Sequence, residues 1–194
     1  MLIRYRLLVP ALLLSCLGVL PVQATILAGP DIIAPPLSTA SVGGAFSTHQ
    51  QGFDELQNVT LPSAVATDAG SLPTGLVVNS HMIFLHQWEQ LSSPLVDTAK
   101  VWTFDGPVVG VMSDANGILE GASTPILGWP GTFYPAPFTA RGIESMDSYV
   151  VSGNSITVNL HVGQPGDYIR VVTVPGGTTP VPRTTWGRLK RAYR

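Results

Sequence analysis

At 194 residues the chain has room for one domain with a substantial core and not for two comfortable ones. Charged residues are only 11% of it, against a usual value of about 25%. Gly 20 and Pro 17 together exceed the average share of about 12%, yet a hydrophobic fraction of 45% excludes disorder as the reason and points to short apolar strands joined by many turns.

Charge is unevenly placed. Between residues 25 and 180 the basic residues Lys100, Arg141 and Arg170 face all twelve acidic ones, a net charge of −9, whereas Arg183, Arg188, Lys190, Arg191 and Arg194 crowd the end of the chain. An acidic body repels phosphate, which excludes nucleic acid as a partner; cations or neutral glycans suit it.

The N-terminus begins with Arg4 and Arg6, followed by an almost unbroken apolar run from Leu7 to Leu20 and the small-residue pattern Val22-Gln23-Ala24. A run of about 14 residues is short for a membrane span, which needs about 20. Residues 1–24 are therefore expected to be a signal peptide, directing the chain to the periplasm or the extracellular space. A competing reading takes Leu13-Leu14-Ser15-Cys16 as a lipoprotein cleavage box with Cys16 lipidated. In either case no second cysteine exists, so the mature domain must be stable in an oxidising compartment without a disulfide.

Residues 25–57 read as an irregular, Pro- and Gly-rich segment packed on the domain, with Thr25-Ile26-Leu27 as a short edge strand and Phe53 to Leu56 as at most a helical turn. Residues 58–176 form the expected domain. Leu76 to Gln87 is a strand bounded by Gly75 and the Ser92-Ser93-Pro94 turn. Val101 to Phe104 and Val108 to Met112 flank Asp105-Gly106-Pro107, which fits either a tight hairpin or one long strand with a bulge. Tyr149 to Val151 and Ser155 to Val162 make a hairpin around Gly153-Asn154. In its second arm Ile156, Val158, Leu160 and Val162 alternate with polar residues, the mark of one buried and one wet face. Gly163 to Gly166 turns the chain into a last strand, Asp167 to Val174. No stretch of ten residues shows capped helical periodicity. The expected fold is all-β, a β-sandwich of jelly-roll type, and residues 177–194 are expected to be a basic, disordered tail.

A series of short blocks carries a family likeness. Val78 to Leu85, Val101 to Met112, Leu127 to Pro135, Arg141 to Glu144 and Gln164 to Val172 together resemble secreted bacterial proteins that end in a PEP-CTERM sorting signal. The resemblance spans roughly residues 60 to 175. It implies an exported protein of exopolysaccharide-producing bacteria and says little about activity. Val181-Pro182-Arg183 looks like a degenerate sorting motif with Arg183 where Glu is expected, and Lys190-Arg191 like its basic end. The hydrophobic helix that should lie between them is missing, so no stable membrane anchor is expected in the mature chain.

No catalytic motif stands out. G-x-S-x-G is absent, and neighbouring Ser80 and His81 on a strand face apart. A glycan-cleaving enzyme would need two carboxylates across a cleft, for which Asp105, Glu144 and Asp147 are the candidates. His81 and His86 point to opposite faces of one strand and cannot share a metal; His81 is expected to play a structural part near Ser80. Calcium is the one cofactor the turns could hold, with Asp105, Asp114 and Asp147 as its ligands. Trp129, Phe133, Tyr134 and Phe138 cluster in a Pro/Gly loop and are the candidate ligand-binding residues, as rings that stack on sugars or as cover for the core. Arg141 and Arg170 are expected to pair with nearby acids such as Glu144 or Asp147. The function expected is that of a non-enzymatic exported sandwich associated with extracellular polysaccharide, the alternative being a carbohydrate-binding module.

Overall fold

A computed structural model describes residues 25–39, 48–87, 93–163 and 165–176. The expected signal peptide, residues 1–24 with Cys16, and the expected basic tail, residues 177–194 with its motif, lie outside the described residues. The fold is an all-β sandwich with one helix laid on its outside. No helix among the described residues is long and apolar enough to cross a membrane.

One sheet has four strands in the order β1 (Ile26–Ala28), β8 (Leu95–Phe104), β11 (Ser155–Val162), β10 (Ser148–Ser152). The other runs β2 (Asp31–Ile32), β3 (Gln51–Asp54), β7 (Val77–His86), β12 (Gly166–Thr173), β9 (Val108–Met112), with β4 (Val59–Thr60) also paired to β7. A small hairpin of β5 (Val65–Thr67) and β6 (Gly70–Leu72) lies beside β9, and α1 (Ile118–Leu127) follows it in sequence. These strand orders describe a sandwich without assigning it to the jelly-roll type.

The burial patterns explain why the strands read so differently in sequence. β11 alternates strictly between buried and half-buried because only one of its faces meets the other sheet. β12 is buried at all eight positions, since its second face lies under α1 and the loop that follows it. Between the sheets Trp102, Phe104, Ile156, Leu160, Ile169 and Val171 form the main core. Outside the larger sheet Phe53, Met82, Phe84 and Tyr168 form a second one.

Three expectations are corrected. Phe53 and Asp54 are not in a helical turn: Gln51–Asp54 is a strand paired with β7, Phe53 opposite Met82, so the 25–57 segment supplies strands to both sheets. Asp105-Gly106-Pro107 makes neither a hairpin nor a bulge. β8 and β9 belong to different sheets, and the chain crosses between them where the backbone of Gly106 lies against the Val174 carbonyl, a Cβ there falling 1.9 Å from it. The helix α1 was not legible because Gly121, Thr124 and Pro125 are poor helix residues. It forms because Asp114 accepts the Ile118 and Leu119 N–H groups, at 2.9 and 2.8 Å, and because Glu120, Ser123 and Leu127 are buried.

Candidate functional site

The loop after α1 divides its four aromatic rings between two tasks. The Thr132 N–H donates to the Trp129 carbonyl at 3.0 Å, closing a turn around Pro130-Gly131. Phe133 then pairs with the 36–39 segment: its N–H donates to Leu37 O at 2.9 Å and its carbonyl accepts from Thr39 N at 3.1 Å. The Thr132 hydroxyl donates to Pro36 O at 2.5 Å. The Tyr134 hydroxyl accepts the Trp129 N–H at 2.8 Å.

Pinned this way, the backbone turns Trp129 and Phe133 outward, with 41% and 63% of their surface exposed, and Leu37, whose carbonyl accepts the Phe133 N–H, is 88% exposed. Tyr134 and Phe138 turn inward onto the second core. Phe138 meets the Tyr168 ring edge-on, and the Arg170 guanidinium lies 5.4 Å from the Tyr134 ring centre. Burial, with the Glu55 charge beside it, raises the Tyr134 phenol above its ordinary range, so it stays protonated. Of the four candidate binding rings, two are free to touch a ligand and two hold the loop that presents them.

Beneath the loop lies a buried charge cluster that the sequence reading did not assemble. Arg170 donates to both Glu55 oxygens, at 2.7 and 2.8 Å, and through Nη1 to the Glu120 carbonyl at 2.5 Å and the Ser123 hydroxyl at 2.7 Å. Arg141 donates to Glu120 through Nε at 2.8 Å and through Nη2. Its guanidinium stacks 4.3 Å from the Tyr168 ring centre. The Ser80 hydroxyl donates to Glu55 at 2.6 Å. The partners are therefore Glu55 and Glu120, not Glu144 or Asp147. Burial works against the Arg170 charge, but the Glu55 and Glu120 carboxylates outweigh it and raise its pKa. All four side chains have no exposure, which closes the cluster to substrate. A hint was available: Arg170 sits inside the apolar run Ile169 to Val172 of β12, and such a cation needs a buried partner.

The calcium candidates are not brought together. Asp105 lies at the β8–β9 crossing, where burial raises its pKa despite the nearby His81. Asp114 caps α1. Asp147 accepts the backbone N–H groups of His161 at 2.6 Å and Glu144 at 3.2 Å. Among the described residues no group of three or more His, Cys, Asp or Glu could hold a metal ion.

His81 joins an arrangement with hydrolase-like spacing, its Nδ1 2.7 Å from Asp54 Oδ1 and its Nε2 3.1 Å from the Thr173 hydroxyl. His81, in the middle of β7, and Thr173, at the end of β12, are fully buried, and the His81 ring packs on Phe104 at 4.6 Å. The trio ties β3, β7 and β12 together. The expected partner is corrected: His81 bonds to Asp54 and Thr173 rather than to Ser80.

Comparison with family models, with characterised protein sequences and with solved structures returns no match for this chain.

Proposed function

We propose that this chain is an exported, non-catalytic β-sandwich protein that attaches to extracellular polysaccharide through the rim formed by Trp129 and Phe133. The observation that carries the reading is the division of labour in one loop. Tyr134 and Phe138 are spent on anchoring while Trp129 and Phe133 are held outward by a backbone fixed at both ends of the turn. Aromatic rings offer sugars a flat apolar face, and a rigid presentation lowers the entropy lost on binding. The acidic body favours a neutral glycan over an anionic one. The export pattern of residues 1–24 and the block resemblance to secreted proteins of exopolysaccharide producers point the same way. The dispersed acids give no reason for a calcium requirement.

A second reading, that the rim docks another protein, is favoured by Leu37: an aliphatic side chain this exposed has no ring to stack on a sugar.

Retention of the purified protein on a panel of neutral and anionic exopolysaccharides, with and without a chelator, tests the proposal. Binding to a neutral glycan that is lost in Trp129→Ala and Phe133→Ala, and unaffected by chelation, is expected. No retention on any glycan sinks the reading and leaves the protein-docking one.

A further inference from the structure

A β-sandwich has to manage the edges of its sheets, because unpaired N–H and C=O groups invite another strand. Three of the four main edges here are blunted. β1 has three residues and pairs only with Thr103 and Phe104 of β8; the rest of that side of β8 is interrupted by Ala99 at φ 56°, by the charged Asp97 and Lys100, and by Gln50, whose amide donates to the Asp97 carbonyl at 2.8 Å. β2 has two residues. β9 is covered by the β5–β6 hairpin, and its Val111 carbonyl accepts the Asp68 N–H at 2.9 Å. The fourth, β10, is five residues long, Ser-Tyr-Val-Val-Ser, with no charge, no proline and a regular register against β11. Among the described residues nothing pairs with its outer side.

Which groups face outward follows from the turn. Gly153-Asn154 is a two-residue loop between Ser152 and Ser155, with Gly153 at φ 61°, so Ser152 and Ser155 form a hydrogen-bonded pair. Alternation along the ladder then gives Val150 and Ser148 bonds to β11 and turns the backbone groups of Tyr149 and Val151 toward the open edge. The Tyr149 hydroxyl donates to Asp68 at 2.9 Å, which fixes the strand in place.

We propose that this edge pairs with the same edge of a second copy of the chain, antiparallel about a two-fold axis at Val150, joining two four-stranded sheets into one of eight strands. In this register Tyr149 of each copy exchanges both backbone hydrogen bonds with Val151 of the other. Val150 meets its own counterpart across the axis, and Ser148 meets Ser152. Asp147 falls opposite Gly153, so no like charges are brought together. The neighbouring registers are disfavoured by groups already in use. A shift one way calls on the Asp147 N–H, which donates to Glu144 O, and a shift the other way on the Gly153 carbonyl, which accepts from Val108 N. Val150 and Val151 are 64% and 39% exposed in the single chain and lose part of that exposure at the joint. The pairing is independent of the Trp129–Phe133 rim.

The experiment is light scattering and sedimentation of the full chain over a concentration series up to about 1 mM, with two variants and a cross-link. The parent is expected to move with concentration toward twice the mass of the single chain. Val151→Pro removes an outward N–H while leaving every backbone bond of β10 to β11 in place, and Val150→Lys sets two like charges face to face. Both are expected to stay at the single-chain mass while keeping the parent melting midpoint when dilute. In a Cys16→Ala background, Val150→Cys is expected to form an inter-chain disulfide on mild oxidation, because a non-hydrogen-bonded pair at about 4.5 Å suits one; Ser148→Cys is not. Single-chain mass at every concentration, or dimers that survive both variants, overturns the proposal. So does equal cross-linking at positions 148 and 150.

Discussion

Arg170 grips Glu55 with two parallel hydrogen bonds, Nε to Oε2 at 2.7 Å and Nη2 to Oε1 at 2.8 Å, joining residues 115 positions apart in sequence. The clasp ties the end of β3 to the middle of β12, and Glu120 extends it to α1 and Arg141. The platform under the aromatic loop is thus held by charge in a place where apolar packing would be the usual device.

Breaking one partner should be costly. Arg170→Met leaves Glu55 buried without its cation, an expected loss of about 3–5 kcal/mol in denaturant unfolding. Replacing both, Arg170→Met with Glu55→Leu, removes the unpaired charge and is expected to recover most of that loss. A double variant as unstable as the single one would show that the pair is needed for more than charge balance.

Asp167 should make stability depend on pH. Burial pushes its carboxyl up to about 8, with the charges of Asp147 and Glu144 adding to the effect. The folded protein then keeps a proton that the unfolded chain releases near its ordinary value of 3.8. Stability therefore falls as pH rises from about 4 to about 8 and levels off above, by several kcal/mol at most. Asp167→Asn mimics the protonated form and is expected to remove that slope. It should match the parent at about pH 4 and exceed it at about pH 9; parallel profiles would count against the assignment.

Trp102 lies in a slot between two glycines. A Cβ on Gly29 would stand 2.2 Å from the indole Cε3, and one on Gly52 2.5 Å from Cζ3, while the indole N–H donates to Gln50 at 3.0 Å. Gly52→Ala is expected to cost about 1–3 kcal/mol by overpacking. Adding Trp102→Phe should return part of it, which a double-mutant cycle measures.

Tyr134 gives a test of the rim that removes no contact atom. Tyr134→Phe deletes the acceptor of the Trp129 N–H, costing about 1 kcal/mol. It is expected to weaken glycan retention although Trp129 and Phe133 remain; unchanged retention would mean that the pinning is not needed.

The strand content was legible where one face alone is buried, as in β11, and where turn chemistry is explicit, as at Gly153-Asn154. β3 was missed because Gln51-Gly52-Phe53-Asp54 has no alternation of its own; β7 supplies its pairing. α1 was missed because Gly121, Thr124 and Pro125 weaken its local pattern, and the partners that bury Glu120, Arg141 and Arg170, lie far along the chain. The aromatic loop was found as a cluster, but which rings face outward depends on the 36–39 segment and on Tyr134 reaching back to Trp129, contacts that no local pattern encodes.

Composition and periodicity determined by themselves an all-β, turn-rich domain with an acidic body, because those properties are sums over residues or repeats along the chain. Only the tertiary structure decided that Arg170 belongs to Glu55, that Asp105, Asp114 and Asp147 stay apart, and that Trp129 and Phe133 stand at the surface. Each of these depends on which distant segments share a face, and burial makes a wrong pairing of charges expensive in a way that spacing along the chain does not reveal.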